Sequence, residues 1–297
     1  MNKPDKAVRR FHPECVDCLL NKALAVAQLV EEDGLRLEYI QKLKQILENA
    51  EDWESAPLVL AKINRLQKEL LNYEADFERE KDYFNRLMMS KEAFIEEQIH
   101  SSADPLHTAL NFALLGNYID FGAMDKVDTD ELDRLLCGAV DLEYNDGEYA
   151  NLVRDLSTAK RLVYLTDNCG EIVADKLFIK EILRQFPSVK AEVIVKGHPV
   201  LNDATLKDAE QIGLGDVVPF SHNGSRIVGT CLDDISAEAM EKINSADVII
   251  SKGQANFETL IDSGKNIYFI FMCKCMVFAG RFGVDRFSGM LLNELRK

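Results

Sequence analysis

The sequence predicts an α/β protein in which helices cover both faces of a mostly parallel sheet and a helical region precedes that sheet. Residues 19 to about 155 show the spacing of apolar residues that is typical of amphipathic helices. From residue 160 onward, short β-branched runs alternate with helical segments, which predicts βαβ units. We therefore divide the chain into a helical subdomain, residues 1–155, and an α/β domain, residues 156–297.

The helical region carries recognisable helix starts. Pro57 lies near the start of a helix that runs through Leu70. The run Ser-Ser-Ala-Asp-Pro at residues 101–105 indicates another start. Residues 106–121 are apolar and rich in small side chains, so we expect a buried helix there.

The α/β region contains five predicted strands with helices between them. In parallel sheets of this kind, ligands bind outside the carboxyl ends of the strands, so the residues that follow each strand are the candidate site. The predicted strands are Leu162–Leu165, Ala191–Val195, Asp216–Val218, Asp247–Ser251 and Asn266–Phe271. The predicted helices are Glu171–Gln185, Ala204–Ile212, Ile235–Asn244 and Asn256–Ser263.

Composition limits the function classes. The chain has 297 residues, 47% of them hydrophobic, and its net charge is −15. That charge repels nucleic acids and anionic membranes, and no apolar run approaches the length of a membrane span. Residues 1–6 are polar and lack the apolar core of a signal peptide. Seven cysteines, an odd number, fit reduced thiols, so we expect a cytoplasmic protein. From the charge and the lack of a long apolar run, we expect it to bind neither nucleic acid nor membrane.

The first predicted strand ends in an acid and an amide. Asp167 and Asn168 follow this strand, and Gly170 and Glu171 lead into the next helix. Either Asp167 or Asn168 could cap the helix, but both together are more than capping requires. Glu171 lies four residues before Asp175 on one helix face, where it could orient a water or simply favour the helix dipole.

The second predicted strand ends in a similar way. It runs into Lys196 and Gly197, and the loop reaches Asn202 and Asp203 before the next helix. Asp203 could cap that helix, or it could direct a carboxylate at a cation shared with Asp167.

The fourth predicted strand ends in Lys252 and Gly253, shortly before Asn256. A lysine beside a glycine at a helix start can hold a phosphate by its charge, although it can also extend past the sheet edge into water. Asn256 could contact the substrate or cap the helix. Asn117 and Asp120 lie three residues apart, which predicts that they share one helical face. They could contact the substrate, or they could form a buried polar pair that is satisfied by protein groups.

Three of these oxygen donors form a predicted metal site. Because the carboxyl ends of parallel strands share one sheet edge, we expect Asp167, Asn168 and Asp203 to converge there. Carboxylate and amide oxygens suit a hard divalent cation, Mg²⁺ or Mn²⁺ first, with Ni²⁺ or Co²⁺ as further candidates. Lys252 would then help to neutralise a phosphate bound beside that cation.

The cysteines give a second candidate site. Cys15 and Cys18 have the spacing of half a zinc site or of a redox pair. Cys275, Cys273 or His12 could complete a Zn²⁺ site if the two chain ends meet. A redox role would require a thiol with a lowered pKa. In the third interpretation, Cys15 and Cys18 are ordinary buried thiols with no metal or redox role.

Taken in this order, the motifs resemble the DUF89 family, the damage-control phosphatases, over nearly the whole chain. The Cys-x-x-Cys start and the late Lys274-Cys275 pair are similar to the prokaryotic branch of that family. The matching motifs are Asp167-Asn168-x-Gly-Glu171, Lys196-Gly197-x-Pro-x-x-Asn202-Asp203-Ala-Thr205, Lys252-Gly253-x-x-Asn256, Gly116-Asn117-x-Ile-Asp120-Phe-Gly122 and Cys15-x-x-Cys18.

The resemblance implies a three-layer α/β/α domain with an N-terminal helical subdomain. It also implies a metal-dependent phosphatase that hydrolyses small phosphorylated metabolites, sometimes damaged or surplus ones. Asp167, Asn168 and Asp203 would be its metal ligands, and Lys252 would contact the phosphate. The attacking group would be a water or Asp167 itself, although the Asp-x-Asp-x-Thr pattern of aspartyl-phosphate chemistry is absent.

Two other functions stay open at this point. A non-enzymatic metal-binding or interaction protein built around Cys15 and Cys18 would leave the polar strand ends unexplained. A carboxyl methyltransferase activity has been proposed for part of the family. The chain has no glycine-rich nucleotide loop after its first α/β strand, which disfavours that activity.

Overall fold

The structure, a computed structural model, describes residues 11–51, 53–119, 128–139 and 146–296. Helices come first, and helices and strands then alternate. The helices are α1 (Pro13–Ala27), α2 (Asp33–Glu48), α3 (Ala56–Leu71), α4 (Glu78–Ser101), α5 (Pro105–Gly116), α6 (Thr129–Cys137), α7 (Asp146–Thr158), α8 (Glu171–Gln185), α9 (Leu206–Gln211), α10 (Ala237–Ser245), α11 (Gln254–Leu260) and α12 (Met276–Phe282). The strands are β1 (Arg161–Leu165), β2 (Lys190–Val195), β3 (Phe220–His222), β4 (Val248–Lys252), β5 (Ile267–Met272) and β6 (Gly289–Asn293).

The six strands form one sheet in the order β3-β2-β1-β4-β5-β6. β1 to β5 pair in parallel, and β6 runs antiparallel to β5. The strand order reverses between β1 and β4, where Leu162 lies opposite Val248 on one side and Ala191 of β2 on the other. Such a reversal opens a crevice at the carboxyl ends of the strands, which is the usual ligand position in this architecture.

Alternate side chains of the strands enter two different cores, which confirms the three-layer α/β/α arrangement. Leu162 and Tyr164 of β1 pack in one core with α4, α5 and α8. Val163 and Leu165 pack in the other core with α10, α11 and α12. The period of two along a strand explains the division, because successive side chains point to opposite faces of the sheet.

The helix α5 is buried, as its composition predicted, but it ends at Gly116, so the predicted helical extension through Asn117 is wrong. The side chain of Asp104 accepts a hydrogen bond from the backbone N–H of His107 at 3.0 Å and so caps the helix. Every residue from Thr108 to Gly116 is buried, and α5 packs along α8. The end of α5 therefore lies against the first turn of α8, at the carboxyl edge of the sheet.

The hydrophobic core crosses the predicted boundary at residue 155. Leu152 and Leu156 of α7 belong to the same cluster as Leu162 of β1, and that cluster also includes residues of α4 and α5. In contrast, α1, α2 and α3 build a separate small core around Tyr39 and Leu43. No helix among the described residues combines the length and apolarity of a membrane span.

The predicted strand at Asp216–Val218 is wrong. Leu214–Asp216 forms a 3-10 turn after Gly213, whose φ is +66°. The N–H groups of Val217 and Val218 both point back to the carbonyl of Leu214, so this segment bonds to itself rather than to β2. The sheet pairing begins only at β3. The edge strand β6 and the helix α12 were not predicted.

One buried aromatic cluster gives a stability test of this core. The ring of Phe271 on β5 is fully buried, with centroids 5.4 Å from Phe257 and 5.7 Å from Phe278. Phe271→Ala should lower the free energy of unfolding by about 3–5 kcal/mol, since it leaves a cavity. Phe94→Ala is the matched control, because Phe94 is 40% exposed, and it should cost less than about 1 kcal/mol. Equal losses in urea unfolding would contradict the core assignment.

Candidate active site

The polar residues that follow β1 and β2 lie side by side. The N–H of Ala204 donates to the carbonyl of Asp167 at 2.8 Å, and Asn168 and Asp203 form an isolated antiparallel bridge. Asp167, Asn168 and Asp203 are each at least nine-tenths buried. The structure thus brings together the three oxygen donors that the sequence placed at one sheet edge.

The carboxylate of Asp167 is held from two directions. Its Oδ2 accepts hydrogen bonds from Nδ2 of Asn117 at 3.0 Å and from Nδ2 of Asn168 at 2.7 Å. The same oxygen also packs directly on Gly253, whose φ is +84°. A Cβ at Gly253 would lie 2.0 Å from Asp167 Oδ2, so the close approach of the β1 and β4 loops requires glycine there.

The amide of Asn168 donates to both neighbouring carboxylates. Its Nδ2 bonds to Asp167 Oδ2 and, at 2.9 Å, to Glu171 Oε2. Because an amide oxygen points opposite its NH₂ group, Oδ1 faces away from these two carboxylates. In the described parts of the chain, no three His, Cys, Asp or Glu side chains are arranged to hold a metal ion. The candidate set around Asp167 differs because one of its three donors is an amide.

Lys252 lies at the centre of a buried ionic cluster rather than at the surface. Its ammonium group donates to Glu171 Oε1 at 2.6 Å, to Asp175 Oδ1 at 2.7 Å and to the carbonyl of Ala113 at 2.7 Å. Lys252, Glu171 and Asp175 are all fully buried. The three protons of the ammonium therefore have three protein acceptors, so a phosphate contact would require Lys252 to exchange one of them.

Burial perturbs the titration of this cluster. It raises the pKa of Asp175 to about 7, although the charge of Lys252 acts in the opposite direction. Burial by itself would lower the pKa of Lys252, but Asp175 and Glu171 outweigh it and the pKa is raised. The hydroxyl of Tyr164 donates to Asp175 Oδ1 at 2.7 Å, and burial holds the pKa of Tyr164 well above its usual value.

A second buried lysine lies beside Asp203. Nζ of Lys196 is 3.4 Å from Asp203 Oδ2 and donates to the carbonyls of Ile227 and Gly229. Together with Asp167, Glu171, Asp175 and Lys252, the connected cluster contains four carboxylates and two ammonium groups. Among these six described groups the carboxylates outnumber the ammonium groups, which favours a bound cation.

The other predicted substrate contacts have structural partners here. Asn117 Oδ1 accepts the N–H of Met272 at 3.0 Å, which ties the end of α5 to β5. Nδ2 of Asn256 donates to the carbonyls of Thr166 and Lys252, at 3.1 and 2.7 Å, and joins the ends of β1 and β4. Asp120 lies outside the described residues. The substrate role of these residues stays a prediction.

Sequence reasoning missed one residue that shapes this loop. Oδ1 of Asn85 on α4 accepts the N–H of Gly170 at 2.6 Å, and its Nδ2 donates to Asp208. A usable signal was present, because Asn85 shares the buried helix face of Phe84 and Met88. A polar residue on an apolar face needs a buried partner.

The cysteines of the two chain ends come near one another. Cys15 of α1 interacts electrostatically with Cys18, with Cys275 and with Glu258 of α11. Burial, with help from these neighbours, raises the pKa of Cys15 to about 12, which disfavours the reactive thiolate of a redox site. Since the described side chains form no three-ligand group, the Zn²⁺ role of Cys15, Cys18 and Cys275 stays a prediction that this arrangement does not support.

Glu258 provides a pH test of this region. Burial raises its pKa from 4.5 to about 7, only partly offset by Arg281. The protonated carboxyl is the form that the fold favours, so its contribution to stability is present below about pH 4.5 and is lost as the pH rises through about 7. Glu258→Gln should therefore raise Tm at about pH 8, with a difference that shrinks towards about pH 5.

The matched control is Glu238→Gln. The hydrogen bond from Lys242 lowers the pKa of Glu238, so this substitution should not raise Tm at about pH 8. A Glu258→Gln protein that melts at or below the wild-type temperature at that pH would show that the partly buried carboxyl of Glu258 is not destabilising.

The contact between Gly253 and Asp167 gives a second test. Gly264→Ala places a Cβ at a similar positive φ, +71°, with no atom within 4 Å, so it should cost about 1–2 kcal/mol of stability. Gly253→Ala adds the collision with Asp167 and should cost about 1–3 kcal/mol more in urea unfolding. Equal losses in the two variants would mean that Asp167 does not pack on Gly253.

Comparison with known proteins identifies the family. The family model described as Damage-control phosphatase ARMT1-like domain matches residues 11–289. A damage-control phosphatase of Archaeoglobus fulgidus is 32% identical over 285 residues, which cover 93% of this chain and 96% of that protein. A damage-control phosphatase of Pyrococcus horikoshii is 35% identical over 181 residues, 60% of this chain and 61% of that protein.

The fold agrees with a solved structure. The crystal structure of a DUF89 family protein from Pyrococcus horikoshii superimposes with a TM-score of 0.75 at 27% identity, covering 96% of this chain and 99% of that one. The matched residues include both the helical region and the α/β domain. The resemblance seen in the motifs is thereby confirmed, and the chain belongs to the DUF89 family of damage-control phosphatases, the ARMT1-like domain family.

Proposed function

We propose that the protein is a metal-dependent phosphatase that hydrolyses phosphate monoesters of small metabolites at the sheet edge where β1, β2 and β4 end. The observation that carries this proposal is that Asp167, Asn168 and Asp203 lie side by side next to a buried cluster in which the described carboxylates outnumber the ammonium groups. Two relatives named damage-control phosphatases support the reaction class. Seven unpaired cysteines favour a reducing compartment, in keeping with the expected cytoplasm.

The residues present fit a hard divalent cation. Two carboxylates and one amide offer oxygen atoms, which Mg²⁺ and Mn²⁺ prefer, and a few protein ligands suffice for Mg²⁺ because it keeps water in its shell. When bound, the cation would polarise a phosphoryl oxygen and offset the charge that develops during transfer. It would also let an anionic substrate enter a protein whose net charge is −15.

The chain itself would position the reacting groups. Asn117 and Asn168 hold Asp167 through Oδ2, and Gly253 blocks its movement towards β4. A carboxylate so restrained suits a ligand better than a nucleophile, so we assign the attack to water. A carboxylate oxygen of Asp203 or Asp167 takes the proton of that water as the new P–O bond forms. The ester P–O bond breaks, the leaving oxygen takes a proton from solvent water, and the carboxylate returns its proton to solvent.

Lys252 would act first as an internal counter-charge. It neutralises part of the charge of Glu171 and Asp175 in the observed arrangement. The predicted contact between Lys252 and the phosphate would require one of its three protein acceptors to give way when substrate binds. The other candidate substrate contacts from the sequence are Gly253, Asn256, Asn117, Asp120 and Glu171.

The two carboxylates give the direct test of this function. Asp167→Asn and Asp203→Asn should each lower kcat by at least about 100-fold on a panel of sugar phosphates and p-nitrophenyl phosphate with Mn²⁺ or Mg²⁺. Asp33→Asn is the matched control, because the Asp33 side chain is 82% exposed on α2, which packs in the separate core of α1, α2 and α3, and it should retain wild-type turnover. Removal of metal with a chelator should abolish the activity, and adding Mn²⁺ back should restore it.

Full turnover in both Asp167→Asn and Asp203→Asn would refute the proposal. It would leave the non-enzymatic interpretation built on Cys15 and Cys18. The methyltransferase alternative gains no support from the β1–α8 turn. The side chains of Asp167 and Asn168 occupy this turn, where a nucleotide-binding enzyme has glycines.

A further inference from the structure

Asp175 is a buried carboxylate that belongs neither to the proposed metal ligands nor to the candidate substrate contacts. It lies one helical turn after Glu171 on α8, and its Oδ1 accepts from Lys252 and from Tyr164, each at 2.7 Å. None of its described hydrogen bonds reaches Asp167, Asn168 or Asp203. Within the described residues its Oδ2 has no hydrogen-bond partner.

Folding alone does not call for a charge at this position. Lys252 already has Glu171 and the carbonyl of Ala113 as acceptors, so its ammonium is paired without Asp175. A second buried carboxylate adds a second desolvation cost, and an orphaned Oδ2 adds to it. The pKa of Asp175, raised by burial to about 7, shows the same cost. A neutral side chain of equal size would fill the space with less penalty.

Asp175 adds a carboxylate to the cluster beside the proposed metal ligands. With Asp175, the described cluster holds four carboxylates against two ammonium groups, and without it three carboxylates against two. Lys252 would then be devoted to Glu171 alone, which in turn bonds to Asn117 and Asn168 beside the metal-binding oxygens. Removing one carboxylate therefore lowers the negative potential at Asp167 and Asp203 even though no ligand changes.

We propose that Asp175 is a positioning residue which, by sharing Lys252 with Glu171, sets the negative charge of the site and so strengthens its hold on a divalent cation. This inference rests on the proposed function, because it assumes that Asp167, Asn168 and Asp203 bind the metal. It assigns Asp175 a role in cation affinity, without direct contact with metal or substrate.

The test is to measure the affinity of the purified protein for Mn²⁺ by isothermal titration calorimetry with MnCl₂. The Tm of each metal-free variant shows whether it folds. Asp175→Asn is nearly isosteric and should weaken Mn²⁺ binding about tenfold, the effect typical of removing an outer partner of a metal site. Glu181→Gln is the matched control. Glu181 is a buried carboxylate on the same helix, paired with Arg184, and lies about 9 Å further along the axis. It should change the affinity less than about twofold.

A double variant separates charge from shape. Asp175→Asn combined with Lys252→Met removes one charged group of each sign and so restores the charge balance of the wild-type cluster. It should bind Mn²⁺ within about threefold of wild type, although it alters the buried cluster more than the single change. If the double variant instead loses affinity as much as Asp175→Asn, or more, the role of Asp175 is only structural and the inference is overturned.

The outcomes also separate this inference from the proposed function. Wild-type protein that does not bind Mn²⁺, or an Asp167→Asn variant that binds it as wild type does, overturns both. Wild-type binding that Asp167→Asn abolishes and Asp175→Asn leaves unchanged overturns the inference alone. If Asp175→Asn does not fold, the comparison of the double variant with wild type decides by the same threefold criterion.

Discussion

The site depends on burying several like charges together, and two kinds of group make this tolerable. A buried carboxylate is costly unless cations or hydrogen-bond donors offset its charge. On the inner side, Lys252 neutralises part of the charge of Glu171 and Asp175. On the outer side, Asp167 is held by amide donors, which carry no net charge. The oxygen donors of the strand ends therefore lie beside a cluster in which the described carboxylates outnumber the ammonium groups.

Sheet topology explains why residues distant in sequence can share this charge. β1 and β4 are neighbours at the reversal of strand order, and the helices that follow them pack in opposite layers, α8 in one core and α11 in the other. The loops that follow β1 and β4 are in direct contact. Asn256 bonds to the carbonyls that end β1 and β4, and Gly253 leaves room for Asp167. A small change in one loop must therefore move a ligand carried by another.

The sequence predicted the strand ends well because their signals are local. The bounds of the predicted helix Glu171–Gln185 are those of α8, and Asp167, Asn168 and Asp203 meet because parallel strands end on one edge. The missed strand β6 lies at the sheet edge with no clean alternation of buried side chains, so it had no strong period to detect. The partners of Lys252 were missed for a different reason. They come from α5 and α8, and which helices pack beside a strand end is a tertiary property.

The helical region cannot be regarded as an accessory to the α/β domain. Near residue 155 the sequence changes from continuous helical periodicity to alternating strand and helix patterns, which predicts a boundary there. However, the carbonyl of Ala113 and the side-chain amide of Asn117, at the end of α5, both hydrogen-bond to the ionic cluster. Asn117 also bonds to the backbone of β5. If α5 were removed, Lys252 would lose one of its three acceptors and Asp167 one of its donors, and each group would stay buried with less compensation. The helices α1, α2 and α3 differ because they bury their apolar faces against one another. A change of hydrophobic periodicity in the sequence thus marks where the strands begin, whereas the extent of a domain is set by which residues share a buried core.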